Sequence, residues 1–238
     1  MVRKNRFNKN YWLRKIYTSK FFQILPLNKN FIKKKIFTSI YESKHWVQDD
    51  DMLPKEYISV SGHGSNINTE QFFNLSKNFN EIIELYKIKS ILDMPCGDFM
   101  WIKKIVKDKK IKYLGIDIVD QLIDDNNKKY QSQNINFLCY DIVDFKTNQK
   151  FDLVLIRDLF IHIKNEDIIK ILKNLKTMNV KYIAVNTYDN KENEDVVVGQ
   201  HRKVNLLIEP FNLKKPKYSF KDYEEDKFFY LYDLNSLK

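Results

Sequence analysis

Apolar positions between residues 68 and 187 follow two alternating periods. Phe72, Phe73, Leu75, Phe79, Ile82, Ile83 and Tyr86 recur at helical spacing and predict a helix running to about Lys87, with Asn68 or Thr69 as its cap. Beyond it, short apolar runs predict strands at 90–94, 112–117, 135–139, 151–156 and 181–187, and helical patterns fall at 99–107, 119–130 and 166–177. Strands separated by helices imply a parallel sheet covered by helices on both faces. The last part of the chain breaks the rule. Lys217 to Tyr223 and Lys227 to Tyr232 are aromatic-rich runs joined by Glu224-Glu225-Asp226, a hairpin signal. The expected fold is therefore α/β, a mostly parallel sheet closed by a C-terminal antiparallel hairpin. A long polar loop from Asp189 to Lys215, containing Gly199, precedes that hairpin, and loops of this length are functional or disordered.

Charge divides the chain where the pattern does not. Residues 1–45 carry 12 Lys/Arg and the single acid Glu42, a net +11, against −1 for the remainder. The expected organisation is a basic N-terminal arm, 1–45, and one α/β domain, 46–238. Phe7, Tyr11, Trp12, Tyr17, Phe21, Phe22 and Phe31 are interleaved with the cations. Such an arm suits RNA phosphates and bases, an anionic membrane surface, an organelle-targeting role, or a solvated segment that packs on the body. Apolar runs fall far short of the roughly 20 residues of a membrane span. Two cysteines without a CxxC spacing fit a reducing, cytoplasmic setting. His45, His63, His162 and His201 are dispersed with no metal-ligand spacing, so no metal is expected.

Candidate chemistry gathers at the predicted strand ends, where open α/β sheets bind ligands. Asp93 closes the first strand and is placed to accept from a cationic amine. Gly97, one of only five glycines, lets a ligand approach the backbone, and Asp98 adds an acceptor. Asp117, 20 residues beyond Gly97, can take two ribose hydroxyls; Asp141 can accept from the exocyclic amine of a base, with Ile142 packing on its ring. Three acids around a nucleoside suit a positively charged cofactor. A dinucleotide site would instead present G-x-G-x-x-G and a helix N-terminus to phosphate.

These residues resemble the class I S-adenosylmethionine-dependent methyltransferases, over roughly Gly62 to Leu234. The resemblance is to a bacterial and viral branch with S-G-x-G-S, L-D-x-P-C-G-D-F-x-W, G-x-D-I-V, R-D-x-x-x-H and G-x-W-R-x-x-N-L in order. Here those segments are Ser61 to Ser65, Leu92 to Trp101, Gly115 to Val119, Arg157 to His162 and Gly199 to Leu206, with His201 in place of the Trp. The resemblance implies a Rossmann-like methyltransferase sheet of seven strands and S-adenosyl-L-methionine as cofactor. The cofactor would be held by Asp93, Pro95, Gly97, Asp98, Asp117, Ile118, Asp141, Ile142 and Arg157. His162 or Asp158 is the expected general base, Arg157 orients the acceptor or shapes the pocket, and Arg202 and Asn205 are candidate substrate contacts. Capping or packing is the competing role for His162, and a local ion pair the competing role for Arg157 with Asp158. The expected reaction is O-methylation of a small molecule or glycan sugar. Two alternatives are an RNA or nucleotide methyltransferase using the arm, and a non-catalytic scaffold that keeps the fold.

Overall fold

The structure is a computed structural model that describes residues 9–47, 53–222 and 225–237. Phe7, the middle of the acidic loop before Pro54, and Tyr223 and Glu224 of the hairpin lie outside the described residues. Three helices come first: α1 (Lys9–Tyr17), α2 (Lys20–Gln23) and α3 (Lys29–Glu42). Then follow α4 (Glu70–Leu85), β1 (Ser90–Asp93), α5 (Lys103–Asp108), β2 (Lys112–Asp117), α6 (Asp120–Tyr130), β3 (Ile135–Cys139), β4 (Phe151–Ile156), α7 (Asn165–Thr177), β5 (Val180–Tyr188), β6 (Tyr218–Lys221) and β7 (Lys227–Asp233).

The seven strands form one sheet in the order β3-β2-β1-β4-β5-β7-β6. The first five are parallel, and β7 runs antiparallel to both β5 and β6. Because the chain winds outward from β1 to β3 and then returns to β4 on the other side, β1 and β4 flank the switch point where ligands bind. The central strands are buried on both faces. Ile91, Leu153 and Leu155 pack with α4 and α5, whereas Leu92, Val154 and Ile156 pack with α7.

Two local differences from the sequence pattern have physical causes. The Thr69 hydroxyl caps α4 by accepting from the Phe72 amide at 3.1 Å, but Phe73 points to solvent at the edge of the apolar stripe. Helix α5 begins only at Lys103, because Phe99 takes a left-handed φ of 61° to bury its ring against Tyr113, Tyr130 and Phe137.

The basic N-terminal segment is folded against the body. Ile32, Ile36 and Ile40 of α3 bury one face with Val198 of the long loop, joined by Tyr17, Phe22, Phe37 and Trp46. Gly199 is what permits this contact. It has φ +84°, and a Cβ there would stand 2.6 Å from the Ile36 Cγ2. The polar side of the segment meets acids at the strand ends: Lys34 pairs with Asp120 at 2.7 Å, Lys29 with Glu166 at 3.1 Å, and Lys33, itself buried, with Asp141 at 2.9 Å. Gln23 adds two hydrogen bonds to the Val198 backbone. Helix α3 thus roofs the C-terminal edge of the parallel strands. The Asp189 to Lys215 loop is ordered beneath it, with Val196, Val198, Val204, Leu206 and Phe211 buried.

Candidate active site

Under the roof lies a cleft bordered by Pro95, Gly97, Asp98, Asp117, Ile118, Asp141, Ile142 and Arg157. Its wall opposite the sheet is Lys33, Phe37 and Tyr41 of the N-terminal segment and Trp46 just after it. Gly97 turns with φ +53°, sending its amide to Asp117 at 3.3 Å, while its carbonyl accepts from Asn126 at 2.7 Å. Asp117 also receives the Val119 amide, and burial raises its carboxyl to about 6 against these stabilising donors. Burial likewise raises Asp98, whose carboxylate accepts from the Ser59 hydroxyl and the amides of Val60 and Met100. Asp98 therefore ties the 59–62 segment over the cleft rather than presenting a free acceptor.

Asp93, expected to accept from the cofactor's amine, lies behind the turn. It is 1% exposed, does not border the cleft, and accepts a hydrogen bond from Tyr113 at 2.6 Å; burial pushes its carboxyl to about 7. Its place is beneath the turn, as a support.

Arg157, at the end of β4, donates to the Ser65 hydroxyl at 2.8 Å and the Gly64 carbonyl at 2.6 Å, and its guanidinium lies 5.2 Å from the Trp101 ring centre. It thereby fixes the Ser61–Ser65 segment, while its buried Nε has no hydrogen-bond partner among the described residues.

A second cavity opens beside the first, bordered by Arg14, Thr18, His45, Gly62, His63, Gln71, Tyr188, His201 and Lys227 among others. All four histidines of the chain border it, although they lie far apart in sequence. Trp46, Ser61, Asp158 and His162 border both cavities and form the partition between them.

The partition is tightly held. His162 ends a short turn after β4, and its Nδ1 lies 2.9 Å from the Gln200 carbonyl. A carbonyl only accepts, so Nδ1 carries the proton and Nε2 keeps a lone pair. Burial lowers the imidazole to about 4, leaving it neutral near pH 7. The ring stacks on Trp46 with centroids 4.8 Å apart. Asp158 sits at φ +54° with its carboxylate on Lys227 at 2.9 Å and the Asn186 amide at 2.6 Å. Burial alone would raise this carboxyl, but Lys227 and Arg157 outweigh it and hold it below the ordinary carboxylate range.

Arg202 and Asn205, expected as substrate contacts, lie outside the lining of both cavities. Arg202 donates to the carbonyls of Phe160 and Ile163 and to the Asn165 side chain, clamping the turn that carries His162. Asn205 donates to the Asn190 carbonyl and accepts from Leu207, pinning the long loop to itself.

The sequence pattern missed Lys33, Phe37, Tyr41 and Trp46. Ile32, Ile36 and Ile40 at i, i+4 and i+8 were the available sign that this segment had an inward face.

An acid at the end of β2, a second after β3 and an apolar slot of Ile118, Leu122, Ile142 and Val143 between them suit an adenosine, whose ribose and exocyclic amine donate while its base packs on apolar walls. Residues 91–179 match the family model described as a methyltransferase domain. Among solved structures the chain is similar to the PH0226 protein of Pyrococcus horikoshii, with 15% identity, TM-score 0.53, and 70% of this chain and 92% of that one covered. It is similar also to an S-adenosylmethionine-dependent methyltransferase of Clostridium acetobutylicum, with 16% identity, TM-score 0.50 and coverage of 69% and 92%. The methyltransferase domain of bacterial CtHen1-CN aligns at 12% identity and TM-score 0.51 over 71% of this chain and all of that one. At these identities the likeness is one of fold: a Rossmann-like methyltransferase sheet. No curated protein matches the chain.

Proposed function

We propose that the chain is an S-adenosylmethionine-dependent methyltransferase that methylates an oxygen of a small molecule or glycan sugar admitted through the second cavity. The observation that carries this reading is the partition of Trp46, Ser61, Asp158 and His162, which borders both the nucleoside-shaped cleft and the second cavity. A bound S-adenosylmethionine supplies an electrophilic methyl on a sulfonium. Asp117 would hold the ribose, Asp141 and the apolar slot the adenine, and the roof from α3 would exclude water. What remains for the protein is to align the acceptor and take its proton.

His162 is the fitting base. It is neutral, its tautomer is set by Gln200, and Nε2 is the atom left to accept a proton. Asp158 is ill suited to that task, since two cations hold it ionised; its charge instead supports the imidazolium that forms on His162. Hydrogen-bonding side chains around the second cavity, among them Arg14, His45, His63, Gln71 and His201, suit a hydroxylated acceptor. An RNA acceptor is less well supported, because Lys29, Lys33 and Lys34 spend their charge on acids of the same chain.

The test is transfer of labelled methyl from the cofactor into host extract divided into RNA, glycan, protein and small-molecule fractions. Label in the glycan or small-molecule fraction is expected, and label in RNA alone would replace the acceptor. Failure of the purified chain to bind S-adenosylhomocysteine would sink the enzyme reading and leave a scaffold.

A further inference from the structure

The outer side of the N-terminal roof carries a feature that the catalytic reading does not use. Trp12, Ile16, Phe21, Ile24, Leu27 and Phe31 are large apolar side chains exposed within a single span of the chain, Phe21 at 73% and Ile24 at 70%. Their neighbours Tyr17, Phe22 and Ile32 turn inward to the roof's own core, so the span has separate buried and exposed apolar positions; of the exposed set, Phe31 also borders a groove shared with Ile118, Cys139 and Tyr140. Lys9, Lys15, Lys20 and Lys35 are exposed in the same span. They are in none of the ion pairs that tie Lys29, Lys33 and Lys34 to the body. Residues 9–41 contain no acid at all.

We propose that this face docks the protein peripherally on an anionic phospholipid bilayer, with Phe21, Ile24 and their neighbours entering the headgroup and acyl boundary and the four lysines meeting lipid phosphates. Apolar side chains ringed by cations are the pattern of interfacial anchors. The occupant follows from the mixture of residues. Trp12, Phe21 and Phe31 could stack on bases, but Ile16, Ile24 and Leu27 have no ring to do so, and a mixed aromatic and aliphatic set suits a lipid boundary better than an RNA surface. A second copy of the chain would bring like charges together around the same patch. Arg14 and Thr18 border the second cavity, so α1 turns one side to that cavity and the side with Trp12 and Ile16 away from it.

Flotation of the full chain with phosphatidylcholine vesicles, with and without phosphatidylglycerol, tests this, and it reads binding whether or not any methyl is transferred. The wild type is expected to float with the phosphatidylglycerol vesicles and to be released by salt. Phe21→Ser/Ile24→Ser and, separately, Lys15→Glu/Lys20→Glu are each expected to lower partition at least about tenfold, with the thermal unfolding midpoint kept near wild type as proof of folding. The proposal is overturned by a wild type that does not float, or by a folded Phe21→Ser/Ile24→Ser variant that floats as well as wild type. It is equally overturned if the patch mediates self-association without lipid, or if single-stranded RNA binds through the lysines and displaces the vesicles.

Discussion

At the scale of single residues the site rests on where burial sends protons. A histidine in water titrates near 6.5, but burial holds His162 at about 4. As the proposed base, it stays competent well into acid. With saturating cofactor, the acid limb of kcat is expected near pH 4 to 5, and a limb near 6.5 would mean that the acting group is a solvated histidine. His162→Ala should lower kcat about 10² to 10⁴-fold with cofactor binding kept. The same depression links to stability. Between 4 and 6.5 the unfolded chain binds a proton that the folded chain refuses, so this histidine's contribution is whole above 6.5 and is lost as pH falls toward 4. Asp117 runs the opposite way. Its folded carboxyl is raised to about 6 by burial, so ionising it without cofactor costs stability, and a cationic cofactor relieves that cost. Asp117→Asn is expected to weaken S-adenosylhomocysteine binding roughly 10 to 100-fold, read by calorimetry; unchanged affinity would remove Asp117 from the ribose site. Much of this is legible in the sequence, since acids at strand ends are visible as letters. The burial of Asp93 under Tyr113 is not, because nothing in Leu92-Asp93-Met94 says which way a carboxylate turns.

At the scale of elements, β1, β2, β3, β4 and β5 lie within a residue of where their apolar runs place them, because strands buried on both faces read as plain hydrophobic stretches. Loops read poorly. The segment from Gly199 to Leu206 matches a motif, yet its Arg202 turns back to hold the backbone of Phe160 and Ile163. Arg202 is thus a positioning residue for His162. Arg202→Met should lower kcat about tenfold or more while leaving S-adenosylhomocysteine affinity near wild type, and Arg202→Lys should restore little, since one ammonium cannot reproduce the fork. The acid limb should also move toward 6.5 as the imidazole gains water, a change that mere loss of stability would not produce.

At the scale of the whole molecule, the charge imbalance acquires a partner inside the chain. Part of the positive charge of residues 1–45 neutralises Asp120, Asp141 and Glu166, of which Asp141 borders the cleft while Asp120 and Glu166 stand in the first turns of α6 and α7, where helix N-termini favour acids. Counting charges along the sequence locates the imbalance, and only the fold shows which lysines turn inward to these acids and which face out. Removing residues 1–45 deletes Lys33, Phe37 and Tyr41 from the cleft wall. The truncated chain is therefore expected to lose both thermal stability and S-adenosylhomocysteine affinity, the latter by about tenfold or more. Affinity equal to that of the full chain would show that the roof is not part of the site. Loss of RNA or membrane binding in that truncation would carry no meaning by itself, which is why single charges and single apolar side chains are the better probes.

The meeting of Gly199 with Ile36 has a consequence in time. The Gly199 amide donates to the His162 carbonyl, the next carbonyl, of Gln200, holds the imidazole, and the same glycine is pressed against the roof. Any displacement of α3 from Gly199 would therefore loosen the grip on the histidine in the same stroke. On the proposed reading of His162 as base, seating the roof and readying the proton acceptor are a single event.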